Sequence, residues 1–149
     1  MQKKSAGILL YRNGSDRGLE VLLVHPGGPY WAKKDDGAWS IPKGEFEDDA
    51  LGAAKREFAE ELGTQIDGDL EELEPVKMKS GKLIYAWKCH GDLDASKITS
   101  NTFQMEWPRG SGNMESFPEI DRAAWFGIAE AKLKLHSAQV SFIEQLIKP

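Results

Sequence analysis

The sequence predicts an α/β chain of the α+β kind, with a mixed β-sheet held between helices. Three observations point there. Segments 5–12, 19–25 and 83–90 are rich in aliphatic, β-branched and aromatic residues, and Val21-Leu22-Leu23-Val24 is too continuously apolar for a one-sided surface strand. A mid-chain segment, 44–64, spaces its apolar residues at helical intervals, and 137–147 does the same at the C-terminal end. Strand order is left open by these patterns.

In chain order, 5–12 and 19–25 flank the turn cluster Asn13-Gly14-Ser15-Asp16-Arg17-Gly18 and are expected to form a hairpin. Segment 26–37, PGGPYWAKKDDG, is a long loop of the kind that is often functional. Lys33 and Lys34 can meet phosphate oxygens there, and Tyr30 or Trp31 can stack on a base. The alternative is a surface lid whose aromatics cover the core. His25, at the loop's edge, is read as structural. Residues 38–42 are a short strand running into Pro42-Lys43-Gly44.

Beyond the central helix, 67–75 is an acidic loop with a strand edge, and 76–79 and 83–90 are strands around the Ser80-Gly81-Lys82 turn. Segment 100–107 is another strand, followed by a turn at 108–113. Arg109 in that turn is either a phosphate contact or a plain exposed arginine. Residues 128–133 form a short helix and 137–147 a closing amphipathic one. In the latter, Ala138, Phe142 and Leu146 make one apolar row, and Val140, Ile143 and Ile147 a second. His136, between the helices, shows no partner in the sequence.

The most informative stretch is GEFEDDALGAAKREFAEELGT, residues 44–64. On a helix, Glu57, Glu60 and Glu61 fall at i, i+3 and i+4 and share one face, while Leu51, Ala54, Phe58 and Leu62 form a neighbouring apolar stripe. Gly63 follows as a helix stop. Three crowded carboxylates repel one another, and a divalent cation removes the repulsion. Hard oxygen ligands at this density suit Mg²⁺. The bland alternative is a solvated acidic face. An EF-hand loop needs alternating oxygen ligands and a turn glycine, which this cluster lacks.

Arg56-Glu57-Phe58-Ala59-Glu60-Glu61-Leu62-Gly63-Thr64 resembles the second half of the Nudix box, REUxEExGU with U a bulky apolar residue, and Pro42-Lys43-Gly44 resembles the loop that opens it. From Gly44 to Arg56 the chain is two residues shorter than the family pattern, and Asp48 or Asp49 is the nearest substitute for the family's middle Glu. The resemblance implies a Nudix-type α/β/α sandwich, a single domain over 1–149, and a Mg²⁺-dependent (or Mn²⁺-dependent) hydrolase. Its substrate would be a nucleoside diphosphate-linked molecule cleaved at a phosphoanhydride. Nucleoside triphosphates and dinucleoside polyphosphates are favoured because Lys43 stands beside the box as a point charge for phosphate.

By the same resemblance, Glu57 and Glu61 are expected as direct metal ligands. Glu60 would share metal or water contacts, and Gly44 would lend its carbonyl. Arg56 would hold a glutamate in a bidentate ion pair. A Glu shortly before a Trp-apolar strand is also a family feature; here Glu119 precedes Trp125, and it is either a surface loop residue or the general base or a further ligand, with Asp121 the competing candidate and a box glutamate the alternative base. The catalytic set is therefore Arg56, Glu60 and Glu119, and the substrate-binding set Lys43, Lys33, Lys34, Tyr30 and Trp31. A rival reading is a non-catalytic nucleotide-sensing module on the same fold, for which the shortened box speaks.

Composition bounds the remaining choices. The chain has 149 residues, enough for one domain with a sizeable core. Its net charge of -5 gives no electrostatic case for a nucleic-acid partner. No apolar run reaches membrane-spanning length, so no membrane partner is expected. One cysteine, Cys89, rules out an internal disulfide, and a cytoplasmic location is expected. Cys89 itself is read as a strand residue. Oligomeric state is not legible.

Overall fold

The computed structural model describes residues 3–14, 16 and 18–148. Met1, Gln2 and Pro149 at the chain ends, and Ser15 and Arg17 of the first turn, lie outside the described residues.

Strand β1 (Lys4–Asn13) is the hub of the sheet. On one side it runs parallel to β6 (Leu83–His90), from Lys4↔Leu83 to Tyr11↔His90. On the other, its far end pairs antiparallel with β2 (Leu19–Pro26), as the hairpin pattern predicts. Its near end, Ser5 to Gly7, pairs instead with β3 (Lys43–Glu45). So β1 and β2 splay apart, and segment 39–45 wedges into the opening. Ser40 bridges Val24, and the Ile8 N–H donates to the Pro42 carbonyl at 3.2 Å. β9 (Ile120–Gly127) extends the sheet beyond β2. β4 (Leu70–Glu72) and β5 (Val76–Lys77) both pair with β6. One parallel pair among antiparallel ones makes the sheet mixed, as expected.

Helices cover both faces. Successive side chains of a strand point to opposite sides, and β1 divides accordingly. Ala6, Ile8 and Leu10 pack with Phe58 and Leu62 of α1 (Ala50–Leu62). Leu9 packs with Phe142, Ile143 and Leu146 of α3 (Val140–Ile147) and Ala131 of α2 (Ile128–Lys134). The apolar stripe on α1 is real at Ala54, Phe58 and Leu62; Leu51, expected in it, is 37% exposed. On α3, Ile147 is likewise 45% exposed, because it lies in the last turn. Cys89 is buried on β6, as read.

Three segments differ from the sequence reading. Residues 38–42 make only isolated bridges, Ser40 to Val24 and Trp39 to Leu135, and the regular strand begins at Lys43. Neighbouring residues serve different partners there, and Pro42 has no N–H to continue a ladder. The strand expected at 100–107 is β7 (Thr102–Glu106), but it pairs only with β8 (Met114–Pro118) as a separate hairpin. Finally, the closing helix starts with a 3₁₀ turn at Ser137–Gln139, capped by His136, before α3 proper.

Candidate active site

Helix α1 is anchored at both ends. Asp49 caps its start, its side chain accepting from the Gly52 N–H at 3.0 Å. Asp49 is thereby taken up in helix capping. At the other end Gly63 adopts φ 72°, and its N–H donates to the Ala59 carbonyl. Between these caps the three glutamates share one face but differ in depth. Glu61 is buried, Glu57 is half-buried and Glu60 is exposed.

Glu61 is the unusual member. Its Oε2 is buried without a hydrogen-bond partner. Burial, together with the charges of Glu57 and Glu119, pushes its carboxyl up to about 8, against the opposing pull of the Lys43 ammonium and backbone N–H. Glu57 is also raised, first by burial and then by Glu60. Lys43 is lowered by burial and by Lys82, while Glu61, Glu45 and Glu57 oppose the shift. Ionising these carboxyls together is therefore unfavourable without a further positive charge beside them.

A cleft of about 430 Å³ opens where β1 and β2 part. Glu61, Lys43 and Glu119 line it, with Trp31, Trp39, Ile41 and Met78 supplying apolar walls. Glu119 reaches it because its backbone is pinned between β8 and β9. Its N–H donates to the Asn101 carbonyl at 2.8 Å, and its carbonyl accepts from Gly27 at 2.9 Å.

The donor set suits a divalent cation. Glu61 offers an orphaned buried oxygen, and Glu57 presses so close to Gly44 that any Cβ at that position would overlap its carboxyl group. Gly44 thus brings backbone and carboxylate together where a hard ion takes oxygen ligands. Among the described residues no three acidic, histidine or cysteine side chains form a ready-made cage.

Other sequence-named residues sit as follows. Arg56 stands between two glutamates, 3.7 Å from Glu57 and 4.0 Å from Glu60, in place of the fork-on-fork pair expected with one of them. A guanidinium more than half exposed, at the outer edge of the acidic face, shares its charge between both neighbours. Trp31 reaches the cleft; Lys33, Lys34 and Tyr30 are not among the residues lining it. The Lys34 ammonium lies 3.7 Å from the Tyr30 ring centre, its charge directed at that aromatic face. Asp121 is bound to His25 at 2.8 Å, and the other ring nitrogen of His25 meets the Lys34 carbonyl at 2.6 Å. His25, fully buried, is structural as read, and it ties the long loop to β9.

Sequence reasoning missed the C-terminal wall of the cleft. His136 and Gln139 line it. The Ala138 N–H donates to His136 Nδ1 at 3.1 Å, so the neutral ring carries its proton on Nε2. Gln139 is spent on Ser40 and the Ile41 N–H. A glutamine in an amphipathic helix pattern gives no sign of this; the long-range contact alone defines it.

The NUDIX domain family model matches residues 1–146. The chain belongs to the Nudix family. No curated protein matches it at a significant level. Among solved structures, this Nudix domain resembles a Caenorhabditis elegans Ap4A hydrolase in a binary complex, with TM-score 0.64, 19% identity, and coverage of 95% of this chain and 94% of that one. It also resembles the NUDIX domain of Shewanella oneidensis NrtR complexed with ADP ribose, with TM-score 0.64, 16% identity, and coverage of 98% and 86%. A NUDIX hydrolase from Nitrosomonas europaea aligns with TM-score 0.57, 19% identity, and coverage of 97% and 86%. At these identities the likeness establishes the fold.

Proposed function

We propose that this Nudix domain, spanning 1–149, hydrolyses a phosphoanhydride bond in a nucleoside diphosphate-linked substrate with the help of Mg²⁺ or Mn²⁺. The observation that carries the reading is Glu61, a buried carboxyl with an unpartnered oxygen on the cleft wall, beside a lysine and two further glutamates. Glu57, Glu61 and the Gly44 carbonyl would hold the ion, with Glu60 at its outer side. When bound, such an ion neutralises phosphate charge and lowers the pKa of coordinated water.

The chain's own groups supply the rest. Lys43, at the cleft wall, meets a phosphate oxygen as a compact positive charge. Trp31 offers an aromatic face to the base, and His136, which also lines the cleft, offers a donor at Nε2. Glu119 accepts a proton from the attacking water. Arg56, between Glu57 and Glu60, keeps both carboxylates oriented and acts as a positioning residue. Apolar walls limit water in the cleft, which strengthens these electrostatic contacts. Cys89, the chain's single cysteine and a buried free thiol, supports a cytoplasmic setting.

The test is release of phosphate or pyrophosphate from nucleoside triphosphates, dinucleoside polyphosphates and nucleotide sugars, with and without Mg²⁺ or Mn²⁺. Metal-dependent turnover by the wild type is expected. Glu61→Gln should lower kcat more than about 100-fold, beyond what loss of a merely supporting group costs, with its circular dichroism unchanged. A wild type that binds these nucleotides by calorimetry but hydrolyses none would replace the enzyme reading with the sensing module, to which the shortened box also points.

A further inference from the structure

A second recess of about 390 Å³ lies beside the cleft, and Pro26, Trp31 and Glu119 line both. Its remaining walls are Gly27, Gly28 and Tyr30 from the long loop and Phe103 and Met105 from β7. We propose that this recess receives the second nucleobase of a two-ended substrate, so that the substrate class is a dinucleoside polyphosphate. The proposal rests on the hydrolase reading above.

The recess is a built feature. The β7–β8 hairpin docks on the glycines of the loop: a Cβ on Gly28 would stand 2.9 Å from Phe103 Cζ, and one on Gly27 would overlap the Pro118 carbonyl. Gly28 also has φ +97°, a conformation that side chains disfavour. Along β7, Phe103 and Met105 are half-buried while Thr102, Gln104 and Glu106 are exposed. Neither Phe103 nor Met105 belongs to the clusters that fill the two faces of the sheet. Their apolar side is turned to the recess, and the fold's own core does not require them.

Charge selects the ligand group. Among the described residues lining the recess, the one charged group is Glu119, a carboxylate that repels phosphate. The Lys34 ammonium lies over the ring of Tyr30. An aromatic lining with no lining cation takes an uncharged planar ring, and base–aromatic stacking tolerates any base. The two recesses meet at Glu119, whose charge acts on both Glu57 and Glu61. A substrate with one base in each recess lays its phosphate chain across the carboxylate face, beside Lys43.

The experiment compares kcat/KM for a dinucleoside polyphosphate and for the nucleoside triphosphate of the same base. Wild type, Phe103→Ala, Phe103→Trp and Tyr30→Ala are measured, with melting curves to confirm folding. Phe103→Ala and Tyr30→Ala are expected to lower the dinucleoside-to-triphosphate ratio about tenfold, through KM. Phe103→Trp is expected to restore it. An unchanged ratio in both alanine variants overturns the proposal. If the wild type hydrolyses neither compound, the hydrolase reading fails, and calorimetry with the same two ligands in Mg²⁺ still decides the recess. About tenfold weaker dinucleoside binding by Phe103→Ala, relative to triphosphate, supports it; equal effects on both ligands overturn it.

Discussion

Helix α1 and the loop–hairpin flank meet the same cleft but are built in opposite ways. The helix is capped at both ends, buries Phe58 and Leu62 under the sheet, and projects its carboxylates from rigid backbone. The flank, residues 26–37 with the β7–β8 hairpin, is held by glycine close approaches, a few backbone hydrogen bonds and the side-chain bonds of His25 and Asp35, and leaves Tyr30 63% exposed. The difference separates the two proposed roles, cation holding on the helix and substrate selection on the flank. Groups that hold a cation need fixed geometry, which a packed helix provides. Groups that choose a substrate can vary on loops without endangering the core.

Substitutions can break or sharpen this contrast. Phe58→Ala, beneath the helix, should cost about 3–5 kcal/mol of stability, read from denaturant unfolding. A cost under about 1 kcal/mol would show that the helix is not held by its buried face. Trp31→Ala, in the loop, should leave unfolding nearly unchanged and raise KM about tenfold through lost stacking; a fall in kcat alone would move Trp31 from binding to chemistry. Arg56→Ala should weaken metal affinity or activity by about tenfold, at the low end for groups that orient metal ligands. A loss as large as that of Glu61→Gln would mean that it touches the reacting phosphate.

The smallest effect belongs to Asp35, at the loop's base. Hydrogen bonds from Lys134 and the Trp39 indole hold its carboxyl below the usual range. A depressed folded-state pKa gives stability that is present above the unfolded value of about 3.9 and is lost as pH falls through the lower folded one. Asp35→Asn should therefore melt slightly below the wild type at neutral pH, with the gap closing under acid conditions. A gap that persists unchanged at low pH would assign the effect to packing.

Much of the candidate site was legible in the sequence because it is local. Glu57, Glu60, Glu61, the apolar stripe and Gly63 all lie within one helix, where a fixed 100° turn per residue converts spacing into a face. Lys43 and Gly44 adjoin it in sequence. Glu119 was found only through its offset from Trp125. The helical spacing that found the glutamates could not rank them: it makes Glu57, Glu60 and Glu61 equivalent, yet the sheet buries Glu61 and leaves Glu60 in water.

The sequence by itself determined most element types, the two-sided burial of the central strands and the carboxylate face, since periodicity and side-chain polarity act over a few residues. Only the tertiary structure decided that β1 and β2 splay to admit Lys43–Glu45, and that β7 and β8 leave the main sheet. It alone brought His136 and Gln139 to the cleft and Phe103 to the loop. Those placements depend on which distant strands pair and how closely backbones approach, and neither is written in any local period.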